Sequence, residues 1–266
     1  MKQYIGITGF KTRAEVEAVN EMIEDQYIMF AILASKKRMD NPRIPGKRSP
    51  AFQDIRALTK DVRGWPVLHC FSTTKSGLAE EVLQATSNSG CKGVQLNQDW
   101  PEAQEVERLH SNDLEVILQI PKRAQTSIEE VARRAKEYEG IVNYVLVDPS
   151  GGLGEEFNLG YGVALMHALR ESLPESGIGI AGGFSPANVY DRVQELRKLF
   201  SYDFSIDTET RVRTNDTVHL DEARMKKYLN EATQAFQERE LHYLYDVGSS
   251  FFYFCYFPLA LKVCEC

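Results

Sequence analysis

The sequence predicts an α/β fold, a single (β/α)8 TIM barrel, from three observations. The chain has 266 residues, and eight βα units need about 250 residues. Short apolar runs with strand-like composition recur along it, and segments with helical spacing separate them. Hydrophobic residues make up 43% of the chain and charged residues 26%, as in ordinary globular domains. This alternation favours a closed barrel, and an open flavodoxin-like or Rossmann sheet is the alternative.

The elements follow in order from the apolar runs and from local capping signals. The predicted strands are 4–8, 27–33, 66–71, 93–96, 115–120, 143–148, 177–181 and 204–207. Segments with helical spacing include 13–24, 51–62, 78–86 and 128–138. Ser127, followed by acidic residues, predicts a helix N-cap. Ser185 and Pro186 predict a second cap with proline at the first helical position.

Two segments interrupt the regular pattern. Residues 35–50 form a proline-containing basic loop, which in a barrel emerges beside the C-terminal ends of the strands and either contacts a ligand or is merely solvated. Residues 1–238 are predicted to form the barrel, and 239–266 an irregular aromatic C-terminal tail of unknown role. The tail either docks on the barrel, contacts another chain, lies at a membrane surface, or is an altered end of the reading frame.

Composition excludes several classes of function. A net charge of −7 argues against a nucleic-acid partner, because phosphate backbones are bound mainly by Lys and Arg. We expect a cytoplasmic protein, since the N-terminus lacks a secretory signal and no apolar stretch is long enough to span a bilayer. The five cysteines lack zinc-ligand spacing, so we expect free thiols and no metal site.

The predicted sixth strand ends in a carboxylate followed by glycines. Asp148 precedes Gly151, Gly152 and Gly154. In a barrel this places an acidic group on the rim where ligands bind, beside backbone that a ligand can approach closely. The alternative is that Asp148 only caps the next helix or pairs with a basic neighbour.

Paired glycines follow the predicted seventh strand. Gly182 and Gly183 lie just before a predicted helix, where peptide N–H groups and the helix dipole can hold a phosphate. The alternative is a tight turn without a ligand. Because barrels commonly bind phosphate at the loops after strands seven and eight, we expect a phosphorylated small molecule as the partner.

These motifs, with others, resemble the phosphoribosylanthranilate isomerase family of tryptophan biosynthesis over roughly residues 3–230. The matching segments are Ile5-Gly6-Ile7-Thr8, Val94-Gln95-Leu96, Asp148 with its glycine loop and Phe157, Ala181-Gly182-Gly183 through Asn188-Val189, and Val212 with Thr214-Asn215. The resemblance implies a barrel and an Amadori-type aldose–ketose isomerisation of a phosphoribosylated amine. We also expect no cofactor and a monomer or homodimer.

The resemblance also implies roles for individual residues. Asp148 takes the position of the general acid, which requires a raised pKa. Substrate-binding candidates are the phosphate-loop glycines, the strand-eight loop and an arginine of the basic loop, namely Gly152, Gly182, Gly183, Thr210, Arg211 and Arg43.

Three departures from the family pattern bear on activity. The family's base, a cysteine at the end of strand one, aligns with Ile5; its strand-four histidine aligns with Asn97; and its small strand-eight loop reads Glu209-Thr210-Arg211. His69 is a possible substitute base, because either it or Cys70 faces into the barrel; the alternative is that it only packs in the core. Two hypotheses remain: an isomerase, or a non-catalytic barrel that retains ligand binding.

Overall fold

The computed structural model describes residues 2–23, 27–74, 76–150 and 154–254, with side chains to residue 238. The strands are β1 Ile5–Thr8, β2 Ile28–Ser35, β3 Trp65–Phe71, β4 Gly93–Leu96, β5 Glu115–Pro121, β6 Tyr144–Asp148, β7 Gly177–Ala181 and β8 Phe204–Thr208. The helices are α1 Arg13–Asn20, α2 Lys36–Asp40, α3 Ile55–Thr59, α4 Leu78–Ser89, α5 Ala103–His110, α6 Ile128–Ala135, α7 Leu159–Ser172, α8 Val189–Leu199 and α9 Glu222–Phe254.

The eight strands form a closed parallel barrel in sequence order. β1 closes it by pairing with β2 on one side and β8 on the other, so that Ile5 is the register partner of both Ile28 and Ile206. This confirms the predicted (β/α)8 barrel and rules out the open-sheet alternative. The predicted strand bounds are close to the observed ones, although β2 continues to Ser35.

Side chains alternate between the barrel interior and the layer beneath the helices. The N-terminal half of the interior is filled by apolar side chains that include Tyr4, Trp65 and Tyr144, which contact one another as ring pairs 5.2–5.6 Å apart. The other face of the strands packs against the helices in the main hydrophobic core. Because apolar side chains fill the N-terminal half of the interior, the polar strand residues lie at the C-terminal end, where a ligand can enter.

Local capping signals were predicted correctly at one helix and wrongly at another. Ser127 caps α6 by accepting a hydrogen bond from the Glu130 amide. By contrast, Ser185 and Pro186 do not begin α8, which starts at Val189 with Asn188 as its N-cap. The Ser185 amide and hydroxyl both donate to Asn188 Oδ1, and this local turn displaces the helix start.

The two irregular segments contain more helix than expected. The basic loop opens with the short helix α2, and α9 continues past the predicted boundary at residue 238 to Phe254. Residues 255–266 lie outside the described part of the chain, and the division at 238 stays a prediction.

Cys70 and Cys91 are buried free thiols, as expected. No described residues form a cluster of three or more metal-ligating side chains. Within the described ranges, no helix combines the length and apolar character that a bilayer span requires.

Candidate functional site

A polar pocket lies at the C-terminal ends of the strands, where the barrel opens. Most of the site residues predicted from sequence meet there: Asp148, His69, Gly182, Gly183, Thr210 and Arg211 all line it. Gly152 falls outside the described residues. Arg43 is exposed in a turn after α2 and is not among the residues that line the pocket.

Asp148, the last residue of β6, is a buried carboxylate with defined partners. Its Oδ1 accepts hydrogen bonds from the Ser150 amide at 3.1 Å and the Ser150 hydroxyl at 2.7 Å. Its Oδ2 accepts one from Gln119 Nε2 on β5 at 3.3 Å. Among the described residues, each donor to Asp148 is a backbone amide, a hydroxyl or a carboxamide. These contacts do not show the alternative in which Asp148 pairs with a basic neighbour or caps a helix.

Asp207, on β8, is a second buried carboxyl in the same pocket. Burial raises its pKa to about 7, and the nearby charges of Glu209 and Asp148 add to the increase. The Thr8 hydroxyl lies 3.0 and 2.9 Å from the two carboxyl oxygens and opposes the shift. A Cβ at Gly6 would lie 2.8 Å from Asp207 Oδ1, so the glycine of β1 makes room for this carboxyl.

The β1 residue that lines the pocket is Thr8, and Ile5, which the family resemblance aligns with the base, does not line it. Ile5 is the first residue of β1, and its side chain belongs to the core layer beneath the helices. Thr8 is the last residue of the strand and lines the pocket. Because side chains alternate along a strand, residues three apart point to opposite faces, and only Thr8 occupies the functional end of β1.

His69 faces the barrel interior and Cys70 faces the helices, which confirms that one of the pair points inward. Burial lowers the pKa of His69, against the opposing influence of Glu209 and Asp148. Its Nε2 lies 3.2 Å from Asn97 Nδ2, and Nδ1 is buried without a hydrogen-bond partner among the described residues. A neutral imidazole with a depressed pKa is a weak proton acceptor, which disfavours His69 as the substitute base.

Two glutamines connect the interior of β4 and β5 to the carboxyls. Gln95 Nε2 donates to Gln119 Oε1 at 3.1 Å, and Gln119 in turn donates to Asp148. Gln95 also interacts with Asp207 in a way that lowers its pKa and opposes part of the effect of burial. The two buried carboxyls are therefore linked through a layer of carboxamides.

The carboxylate of Glu209, by which the strand-eight loop departs from the family pattern, is paired with two arginines. Glu209 Oε1 lies 2.9 Å from Nη2 and 3.2 Å from Nε of Arg213, a fully buried arginine. Arg48, from the basic loop, approaches the same oxygen at 3.5 Å. Arg213 also donates to the Gly9 carbonyl, and a Cβ at Gly9 would collide with Nη2 of Arg213.

Arg211 does not provide this neutralisation. Its Nε donates to the Gly154 carbonyl at 2.6 Å, so it joins the loop after β8 to the loop after β6. The β6 loop also touches the glycines after β7: a Cβ at Gly183 would lie 2.7 Å from both Glu155 O and Glu156 Cα. The three loops after β6, β7 and β8 thus form one contiguous wall of the pocket.

Sequence reasoning missed Asp207, Thr8 and Gln119. Asp207 carried the same signal as Asp148, an acidic residue that ends a predicted strand, so the strand-end criterion identifies it once it is applied to every strand. Thr8 and Gln119 carried no comparable signal, because a strand end alone does not reveal which polar neighbour a side chain will contact.

Comparisons with known proteins agree with this architecture. The family model for N-(5'-phosphoribosyl)anthranilate isomerase matches residues 69–218. Phosphoribosylanthranilate isomerase from Thermotoga maritima superposes with a TM-score of 0.63 at 17% identity, covering 88% of this chain and 100% of that one. The enzyme from Thermus thermophilus gives a TM-score of 0.63 at 15% identity, covering 88% and 99%. The catalytic domain of a Pyrococcus furiosus chitinase gives 0.59 at 11% identity, covering 88% and 96%.

At these identities the structural likeness shows the fold alone, and the chitinase illustrates that the fold does not fix the reaction. No curated protein matches the sequence significantly. The matched region begins at His69 and therefore leaves out β1 and β2, including Thr8. It nevertheless spans more than half of the 266 residues, and the chain belongs to the N-(5'-phosphoribosyl)anthranilate isomerase family.

Proposed function

We propose that this protein catalyses an Amadori-type aldose–ketose isomerisation of a phosphoribosylated amine, with Asp148 and Asp207 as its acid–base pair. The observation that carries the proposal is the presence of two buried carboxyls, at the ends of β6 and β8, in one pocket. The reaction needs two proton-transfer groups with opposed tasks. Two carboxyls held in different environments meet that need without a cofactor.

Asp148 is the proposed acid, as the family resemblance implies. It gives a proton to the ribose ring oxygen, the C1–O bond breaks, and the nitrogen lone pair forms the iminium. Asp207 is the proposed base. It removes the C2 proton, the electrons of the C–H bond form the C1–C2 double bond, and the iminium nitrogen is neutralised. Tautomerisation of this enol yields the ketose. A carboxylate whose pKa is about 7 is a stronger base than an ordinary aspartate.

The phosphate is proposed to lie against the wall formed by the loops after β6, β7 and β8. Gly182 and Gly183 offer backbone N–H groups there, and Thr210 and Arg211 flank them. Neither arginine lines the pocket, but Arg48 contacts Glu209, which does, so Arg48 is a better candidate than Arg43 for a contact with the amine's acidic substituent. The cytoplasmic location and the monomer or homodimer state stay predictions.

The test is the loss of phosphoribosylanthranilate fluorescence with the purified chain. We expect the low-pH limb of the kcat/KM profile to have a pKa of about 7, because Asp207 must be ionised to act as a base. Asp148→Asn and Asp207→Asn should each lower kcat by at least about 100-fold, the usual contribution of one acid–base group. Asp191→Asn, on the exposed face of α8, is the matched control and should leave kcat unchanged.

The second candidate is a ligand-binding barrel without catalysis. It is favoured by Thr8, since a hydroxyl that is hydrogen-bonded to Asp207 cannot replace a thiolate base. Folded protein that shows no turnover, but whose melting temperature rises with ribose 5-phosphate, would replace the isomerase proposal with this one.

A further inference from the structure

The hydrogen bonds around His69 have a determinable direction. Arg123 Nη2 donates to Asn97 Oδ1 at 3.3 Å, and Arg123 is itself held by Asp99 at 2.6 Å. Because a guanidinium can only donate, the Asn97 oxygen is the acceptor, and its amide nitrogen faces His69. Asn97 Nδ2 therefore donates to His69 Nε2 across 3.2 Å.

The remaining proton of His69 is then on Nδ1. An imidazole that accepts a hydrogen bond at Nε2 while neutral carries its hydrogen on Nδ1. This Nδ1 is a buried donor without a partner among the described residues. A buried donor left unpaired is costly, by about 1–3 kcal/mol, so an acceptor is expected close by.

The complementary acceptor lies on the neighbouring strand. Gln95 is the register partner of His69 across β3 and β4, and both side chains face the interior. Adjacent strands lie about 4.8 Å apart, within reach of paired side chains. Gln95 Oε1 is likewise buried without a partner in the described part of the chain, while its Nε2 donates to Gln119.

We propose that His69 Nδ1–H donates to Gln95 Oε1 and so completes a one-way hydrogen-bond chain from the surface to the two pocket carboxyls. The chain runs through Arg123, Asn97, His69, Gln95 and Gln119 to Asp148. Gln95 also lies where it lowers the pKa of Asp207. Each member donates toward the carboxyls, so reversing any one amide would break two links.

In this arrangement His69 is a positioning residue and not a base, since both of its nitrogens are occupied. It fixes the amide of Gln95, which presents its N–H groups to Gln119 and Asp207. The bonds on either side of the His69–Gln95 link are observed, the link itself is the proposal, and its effect on catalysis rests on the proposed function. The charged groups that face His69 are Asp148, Glu209 and, through Asn97, Arg123.

The first test is the tautomer of His69, read by nitrogen-15 NMR on the full chain with labelled histidine. The signal among the five histidines is assigned by its loss in His69→Gln. We expect a protonated, pyrrole-type Nδ1 and an unprotonated Nε2, with no conversion to imidazolium at pH 6. An Nε2–H tautomer, or protonation with an ordinary pKa near 6.5, overturns the proposal.

The second test reverses one link. Asn97→Asp replaces the donor with a carboxylate that can only accept, so His69 should change to the Nε2–H form and the Gln95 amide should lose its direction. The carboxyl carbon-13 titration of Asp207 should then move to higher pH. Asn112→Asp makes the same charge change at an exposed site and should alter neither signal. Identical spectra for the two variants would contradict the chain of donors.

Neither spectrum depends on turnover. If His69 has the expected tautomer but the protein shows no isomerase activity, the hydrogen-bond chain is supported and the proposed function is refuted. If the protein is active but His69 has the other tautomer, the proposed function is supported and the hydrogen-bond chain is refuted.

Discussion

At the scale of single residues, the side chain at the end of β1 bears on which group could act as the proposed base. Thr8 occupies that place and donates to Asp207 on the neighbouring strand β8, the carboxyl that we propose as the base. The family resemblance aligned Ile5 with the base because Ile5-Gly6-Ile7-Thr8 matches the family's opening motif, and the sequence does not show which face each side chain takes, since both faces of a parallel barrel strand are buried. Only the observed register distinguishes the two faces.

Restoring a thiol at this place provides a direct test of that assignment. Thr8→Cys should increase isomerase turnover by at least about tenfold, because a thiol beside Asp207 can act as the base that the family resemblance implies. Ile5→Cys is the control. Its side chain lies beneath the helices, so we expect unchanged turnover and a modest loss of stability. Steady-state kinetics measure the turnover of both variants. An increase in turnover with Ile5→Cys alone would contradict the structure.

At the scale of elements, strands were predicted more reliably than the turns between them. The eight apolar runs were visible because a barrel strand buries both faces. The predicted start of α8 was wrong because Ser185 donates to the Asn188 side chain within the loop, so that the helix begins after Asn188 and not at Pro186. This weakens the argument that a helix dipole reaches Gly182 and Gly183 directly.

The contact between the β6 and β7 loops makes a quantitative prediction. Gly183 has φ of +69° and no space for a Cβ against the backbone of Glu155 and Glu156. Gly183→Ala should lower the free energy of unfolding by about 2–5 kcal/mol, through left-handed strain and overpacking.

Gly140→Ala supplies the comparison for this prediction. It has φ of +78° with nothing within 4 Å, so it tests the strain alone and should cost about 1–2 kcal/mol. Urea denaturation of both variants measures the difference. Equal losses of unfolding free energy in the two variants would show that the contact between the β6 and β7 loops does not contribute to stability.

At the scale of the whole molecule, the buried Asp207 links stability to pH. In the folded protein its pKa is about 7, against 3.8 for an unperturbed aspartate. Between these values the folded state binds more protons than the unfolded state, so stability falls as pH rises from about 4 to 7. The difference corresponds to at most about 4 kcal/mol.

Asp207→Asn mimics the protonated carboxyl and should remove this part of the pH dependence. We expect the variant to match the natural protein near pH 4 and to exceed it in melting temperature at pH 8. Differential scanning calorimetry across that range measures the effect. Parallel curves for the two proteins would mean that Asp207 titrates normally.

The fold as a whole was predictable, whereas the electrostatics of the site were not. Chain length, eight strand signals and the glycine motifs specified the barrel and the end at which it opens. The raised pKa of Asp207 depends on burial by distant parts of the chain, and the complete burial of Arg213 depends on Glu209 and Gly9. Such contacts join residues far apart in sequence, and no local pattern reports them.

The Gly9–Arg213 contact has an evolutionary consequence. The guanidinium fills the volume that a side chain at position 9 would need, and it closes the seam between the first and last strands. The two positions should therefore covary among homologues: lineages that keep a long basic side chain at 213 should keep glycine at 9, and lineages that acquire a larger residue at 9 should have shortened 213 first. The order of those substitutions is a constraint on the paths by which this branch of the family could have diverged.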